Sequence, residues 1–192
     1  MKKVFFYASM ALLFVTASCD KDEPETIHEH EEFSRVTLKV TNENDSSDVT
    51  TYTFEVEDHD HDHGGGGGTH DDHAEIELAA NSSYLFEIRF YNDKDPSNPE
   101  DITLEVIEEA DEHHVFYELT DGANITVESG TGDTMDSNSN PLNLITKWTT
   151  TAAGVADVEA YLIHEPTSKT GTSRNDFGGA TDVEIEFEAH VE

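Results

Sequence analysis

The sequence predicts an all-β protein, an antiparallel β-sandwich of roughly eight strands with one short helix. Three observations support this prediction. Apolar and polar residues alternate with a period of two in several segments after residue 33, clusters of Asn, Asp, Ser and Gly separate these segments, and a single segment has helical spacing. An immunoglobulin-like sandwich is the natural architecture, and a small β-barrel is the alternative.

The individual strands are predicted from this alternation. Tyr84, Phe86, Ile88 and Phe90 fall on one face of an extended chain, which is typical of a strand with one buried side. The same pattern recurs along the chain and ends in an alternating C-terminal segment. Strands are predicted around residues 33–41, 51–57, 75–78, 84–91, 125–127, 144–151, 155–163 and 183–191.

One segment predicts a helix, from about Pro99 to His113. A polar capping residue and Pro99 open the segment, acidic residues follow in its first turn, and apolar residues then occur at near-helical spacing. The competing interpretation is a strand through Leu104 and Val106.

The N-terminus has the features of a lipoprotein signal peptide, predicted over residues 1–18. Lys2 and Lys3 precede an apolar run that is shorter than the roughly 20 residues needed to cross a bilayer. Small residues then lead into Cys19, the single cysteine of the chain. This arrangement resembles a lipobox, which implies cleavage before Cys19 and lipidation of that residue. An ordinary secretory signal with a chance cysteine is the alternative.

Residues 19–32 are predicted to form a flexible, lipidated tether, because they are charged and almost free of apolar side chains. The start of this tether, Lys21-Asp22-Glu23, resembles the signal that sends some lipoproteins to the outer face of the outer membrane. Surface exposure is therefore expected, with the periplasmic leaflet as the alternative. Residues 33–192 remain as the β-sandwich domain.

The composition excludes some functions. The chain carries 43 acidic and 10 basic residues, a formal net charge of −33. Such a surface repels nucleic acid and attracts cations, so nucleic acid is not an expected partner. The sequence contains no nucleophile elbow, no His-Glu-x-x-His motif and no phosphate-binding loop, so a binding protein rather than an enzyme is predicted.

A loop rich in histidine and aspartate, residues 58–73 (the His/Asp loop), is the main predicted metal site. It is much longer than the 2–5 residues that a hairpin needs. Imidazole and carboxylate are both zinc ligands. Because ordering a flexible chain costs about 1–2 kcal/mol per residue, several labile sites are expected, and a solvated or pH-responsive loop is the alternative. The predicted ligands are His59, Asp60, His61, Asp62, His63, His70, Asp71, Asp72 and His73.

Three further histidines, His113, His114 and His164, lie in or beside predicted helix and strand. They are candidates for a tighter site, with a hydrogen-bonded structural role as the alternative. Zinc is the expected metal, and Cu²⁺ and Ni²⁺ are the alternatives, since imidazole suits all three. Residues 136–140 resemble the start of a calcium loop, but Pro141 and Lys147 stand where glycine and glutamate are required, so Ca²⁺ is not expected.

Several short segments resemble those of a family of small outer-membrane lipoproteins that is often labelled "type 1 periplasmic binding fold superfamily". Those segments are residues 99–117, residues 136–142, His164-Glu165-Pro166 and residues 181–185. The resemblance covers most of the chain after Cys19. It implies a companion of TonB-dependent receptors, which import scarce metals and cofactors.

The sequence thus predicts a lipoprotein, anchored to the outer membrane and exposed at the cell surface, that binds a divalent transition metal, with zinc as the expected ion. Delivery of that metal to a TonB-dependent transporter is what the resemblance implies. The alternative is a structural, adhesive or carbohydrate-binding surface protein in which the His/Asp loop is incidental. Trp148 is the only tryptophan, which argues against a carbohydrate-binding module with exposed aromatic residues.

Overall fold

Strands dominate the structure, as the alternating sequence pattern requires. The computed structural model of the 192-residue chain describes residues 32–56, 74–120 and 124–192. In chain order the elements are β1 (Arg35–Asn42), β2 (Val49–Glu55), β3 (Ala74–Leu78), β4 (Ser83–Asn92), β5 (Glu100–Asp101), α1 (Thr103–Glu108), β6 (His113–Thr120), β7 (Ile125–Ser129), β8 (Ile145–Thr150), β9 (Gly154–His164) and β10 (Ala180–Val191).

The strands form two sheets. The first sheet has the order β2-β1-β4-β8-β7, with β5 paired to β4, and the second has the order β3-β10-β9-β6. The pairings are antiparallel, except that β3 runs parallel to β10. The all-β sandwich is therefore confirmed, and over the described residues the strands form two open sheets and not the alternative barrel.

Apolar side chains from the two sheets meet in one core. Along β4 and β10 the residues predicted to face inward are buried and alternate with more exposed neighbours. Trp148 lies at the centre, where its ring stacks on Phe86 with centroids 4.2 Å apart and meets the edge of Tyr117 at 5.4 Å. The indole Nε1–H donates to the Thr146 hydroxyl at 2.9 Å, so the one polar atom of this side chain is satisfied inside the core.

The predicted helix exists but is much shorter than residues 99–113. Glu100 and Asp101 instead pair with the end of β4. The helix begins only at Thr103, whose buried hydroxyl accepts a hydrogen bond from the Phe90 N–H at 2.8 Å. It ends at Glu108, and turns lead into the next strand. The alternative of a strand through Leu104 and Val106 is wrong.

Strand β6 was not predicted from the sequence. The helix predicted from the preceding apolar run extends to His113, the first residue of this strand, and no element is predicted for residues 114–120. In the structure β6 forms an edge of the second sheet and pairs with β9 over its whole length. His113 and His114 therefore lie in a buried strand and not at the end of a helix.

A connection between β9 and β10, residues 165–179 (the strap), covers the outer face of the second sheet. Phe177 packs there against Phe116, with ring centroids 4.4 Å apart. The ammonium of Lys169 donates to the Ala110 carbonyl and lies 3.2 Å from the Asp136 carboxylate. Both of these charged side chains are buried. The strap, which connects the end of β9 to the start of β10, is therefore packed against the rest of the domain.

Among the described residues, no helix has the length and hydropathy that crossing a membrane would require.

Candidate metal centre

Two histidines meet at one end of the second sheet because of strand register. His113 is the first residue of β6, His164 is the last residue of β9, and the two are directly paired. Both lie at the positions that face the core, since His113 is two residues before Val115 and His164 is two residues after Leu162. Their rings stack with centroids 4.8 Å apart. The pairing of β6 with β9 thus brings together two of the three predicted ordered ligands.

A bulge in β10 adds a carboxylate to this pair. Thr181 pairs with Ile163 and Val183 pairs with Leu162, so Asp182 is an extra residue inserted between two paired positions of β10. Such a bulge changes the direction of a side chain. The Asp182 carboxylate oxygen lies 3.5 Å from His164 Nδ1 and 3.8 Å from His113 Nε2. His113, His164 and Asp182 are called the metal triad below.

The spacing of the three ligand atoms fits a zinc ion. They all lie within 4.8 Å of one another. In a tetrahedral site with bonds of roughly 2.1 Å, neighbouring ligand atoms are about 3.4 Å apart. The two measured nitrogen–oxygen separations are close to this value and longer than ordinary hydrogen bonds. Small side-chain movements would therefore allow all three atoms to contact one cation.

The orientation of the His113 ring suits coordination as well. Its Nδ1 lies 3.2 Å from the Glu109 carbonyl oxygen, which can only accept a hydrogen bond, so Nδ1 carries the hydrogen. In a neutral ring the lone pair is then on Nε2, the atom that faces Asp182. Histidine ligands commonly donate their second N–H to a carbonyl or carboxylate in this way. The turn after α1 therefore orients His113 for metal binding.

The backbone around His164 is tightly packed. Gly179 has φ +66°, and a Cβ at this position would lie 2.2 Å from the His164 carbonyl oxygen. Glu165 also has positive φ, +48°, and its N–H donates to the Glu112 carbonyl oxygen at 2.7 Å. These contacts hold the ends of the strap, so that His164 and Asp182 are kept side by side.

His114 lies on the opposite face of β6 and does not join the metal triad. Its ring stacks on Phe177 with centroids 5.2 Å apart, and its Nδ1 donates to the Pro141 carbonyl oxygen at 3.1 Å. Burial lowers the pKa of His114 from 6.5 to about 4, and the nearby Lys169 ammonium adds to this effect. This histidine is held neutral as a packing residue under the strap.

The depressed pKa of His114 predicts a loss of stability in mild acid. In the unfolded chain the imidazole takes up a proton as the pH falls below about 6.5, whereas the folded chain resists protonation down to about pH 4. The free energy of unfolding should therefore fall by about 2 kcal/mol between pH 7 and pH 5 because of this residue.

The check is urea unfolding with a metal chelator present. His114→Phe, which keeps the ring contact with Phe177, should have a flatter pH dependence than the wild type by that amount. Identical pH dependence in the two proteins would show that His114 is not held neutral by its surroundings.

The segment that resembles a calcium loop is organised by its own side chains. Asp136 accepts hydrogen bonds from the N–H groups of Asn138 and Asn140 and from the Asn140 amide. The hydrogen bonds from Asn140 and the Lys169 ammonium hold the pKa of Asp136 below its usual range. The result is an Asx turn that is closed by protein donors.

The other predicted site residues, which are the loop ligands and the lipidation site, lie outside the described residues. This applies to every residue of the His/Asp loop and to Cys19.

Within the described residues, further groups of histidine and carboxylate side chains occur, such as Glu75, Glu188 and His190. Those three are on the outer face of the second sheet, and His190 already contacts Glu188 at 2.7 Å. The metal triad is the more buried arrangement.

No family model, no curated protein and no solved structure matches the chain.

Asp182 is the member of the metal triad that was not predicted. It immediately precedes an alternating strand in a chain with 43 acidic residues, so its residue type carries no information about a site. Only the bulge opposite Ile163 and Leu162 distinguishes it, and a bulge depends on pairing with a partner strand.

Proposed function

We propose that this chain is an envelope lipoprotein that binds a divalent transition metal, zinc in the first place, and passes it to a TonB-dependent transporter of the outer membrane. The observation that supports metal binding is the metal triad, in which two imidazole nitrogens and one carboxylate oxygen converge at the end of the second sheet. The donor set has two nitrogens and one oxygen, which suits zinc, copper(II) or nickel better than calcium.

Three protein ligands leave room for a fourth ligand. Zinc sites of this kind keep a position open for water or another molecule, whereas purely structural zinc sites use four protein ligands. A carrier needs such an open position because the receiving protein must contact the ion before it is released. The role proposed for the chain is binding and transfer, without a catalysed reaction.

The negative charge of the chain supports this role. A net charge of −33 raises the local concentration of cations near the surface. The His/Asp loop would add labile ligands for these cations. A carbohydrate-binding role has less support, since Trp148 is fully buried in the core and cannot stack on a sugar.

The test of metal binding is equilibrium dialysis of the full-length chain in detergent, followed by metal analysis. The chain is dialysed against equal concentrations of Zn²⁺, Ca²⁺ and Mg²⁺. We expect at least one tightly retained zinc ion per chain and no tightly retained calcium or magnesium, because the triad offers nitrogen ligands. Retention of calcium in place of zinc would contradict the proposal.

The proposed anchor has its own test. Cys19→Ala removes the only thiol that can carry lipid, so the variant should lose its association with membranes after a high-salt wash. The matched control is Ser18→Ala, which leaves Cys19 in place and should keep the protein in the membrane fraction. Membrane association that survives in Cys19→Ala would show that lipid on this residue is not the anchor.

A further inference from the structure

A cation bound by the metal triad must first reach it from solvent, and the path inferred for it rests on the proposed function. A second group of ligands lies beside the triad and shares one residue with it. Glu112, His164 and Glu165 (the outer cluster) also bring their ligand atoms within 4.8 Å of one another. Glu112 ends the turn before β6, and Glu165 directly follows His164.

His164 connects the two groups through the opposite nitrogens of one ring. Its Nδ1 is 3.5 Å from the Asp182 carboxylate in the triad, and its Nε2 is 3.9 Å from the Glu112 carboxylate in the outer cluster. Neither separation is a hydrogen bond that would hold the ring in one tautomer. His113 differs, since its Nδ1 is bonded to the Glu109 carbonyl oxygen.

The exposed fraction of the side chains increases from the metal triad to the outer cluster. His113 is 0% exposed, Asp182 15%, His164 26% and Glu112 44%, and Glu165 is exposed. A cation that arrives from solvent therefore meets the two glutamates first and the buried imidazole of His113 last.

We propose that the outer cluster is the entry position for the metal triad, and that His164 passes one divalent cation between the two. A neutral imidazole has a single lone pair. The ring can bind a cation through Nε2 in the outer cluster or through Nδ1 in the triad, so the two positions are filled one at a time.

The inward step conserves charge on the ring. With the cation on Nε2, the hydrogen is on Nδ1; with the cation on Nδ1, the hydrogen is on Nε2. One proton leaves Nδ1 and one is taken up at Nε2, both exchanged with water, and the partly exposed His164 side chain allows this exchange. Glu112 then accepts the new Nε2–H. Release of the cation follows the same steps in reverse.

An entry position changes rates without changing the equilibrium. The double variant Glu112→Gln/Glu165→Gln removes both outer carboxylates, while the amide oxygen at position 112 can still accept the His164 N–H. We expect zinc loading and zinc release to slow together, each by roughly tenfold, with an unchanged dissociation constant. The matched control is Glu100→Gln/Glu108→Gln, which removes two exposed carboxylates of the neighbouring segment and changes the net charge equally.

The experiment is stopped-flow competition between a fluorescent zinc chelator and the full-length chain in detergent, with the five histidines of the His/Asp loop replaced by alanine in every sample. Equal slowing in the control pair would mean that only overall charge matters, and unchanged rates would mean that the outer cluster is not on the path. A weaker dissociation constant with faster release would make the glutamates ordinary ligands of one site. Each of these three results overturns the entry position. Absence of saturable zinc binding in the parent chain, which lacks the loop histidines, would instead remove the metal triad as a zinc site and with it the observation that supports the proposed function.

Discussion

Asp182→Asn is expected to weaken zinc binding by at least about 100-fold. The substitution keeps the size and shape of the side chain, so the bulge in β10 can persist, but it removes the only negative charge among the three ligands. Loss of partners behind the ligands already costs roughly 10–100-fold in metal affinity. Loss of a ligand carboxylate that lies 3.5 Å and 3.8 Å from the two imidazole nitrogens should cost no less.

The measurement is zinc affinity by competition calorimetry at pH 7.5, with His190→Ala as the control. His190 also contacts a carboxylate, that of Glu188, but it lies on the outer face of the second sheet. The control should bind zinc like the wild type. The alternative is that Asp182 only forms a buried ion pair with a protonated His113. In that case Asp182→Asn will lower the free energy of unfolding and leave zinc affinity unchanged. That result would show that the triad is not a metal site.

Trp148→Ala is expected to have the largest effect on stability, with a loss of about 4 kcal/mol in the free energy of unfolding. The indole is fully buried and contacts aromatic rings from both sheets. Truncation removes these contacts and leaves a large cavity between Phe86 and Tyr117. It also removes the hydrogen bond to Thr146.

Urea denaturation without metal measures this loss. The control is Leu104→Ala, a large-to-small change at a position in α1 that is 60% exposed. We expect that control to change stability by about 0.5 kcal/mol or less. A similar small effect for Trp148→Ala would show that the two sheets are not held together by this aromatic cluster.

The sequence was a good guide to the strands whose two faces differ. Along β4 the alternation of apolar and polar residues follows from burial of one side, so it appears in the sequence before any partner strand is known. The helix was predicted too long because local spacing around Ile102 and Val106 is helical. Pairing of Glu100 and Asp101 with β4 depends on residues far along the chain and overrides that local preference.

The metal triad could be predicted only in part for the same reason. His113 and His164 were identified because imidazole is a metal ligand and both residues lie in or beside predicted helix and strand, although nothing local showed that they would be paired. His114 is the same residue type as its neighbour His113 and was an equal candidate. Successive side chains of a strand point to opposite faces, so His114 packs against Phe177 instead of joining the triad. Asp182 depends on a bulge, which exists only between two paired strands. Residue type indicates candidate ligands, and strand pairing decides which of them meet.

The most direct test of the proposed metal site is zinc calorimetry at pH 7.5 on three forms of the full-length chain in detergent. These are the wild type, a variant with alanine at His59, His61, His63, His70 and His73, and a variant with asparagine at His113, His164 and Asp182. We expect the loop variant to lose weakly bound equivalents and to keep one tight zinc ion, and the triad variant to lose that tight ion while it remains folded by circular dichroism. A tight ion that disappears with the loop histidines and persists in the folded triad variant would contradict the assignment of the metal centre to His113, His164 and Asp182.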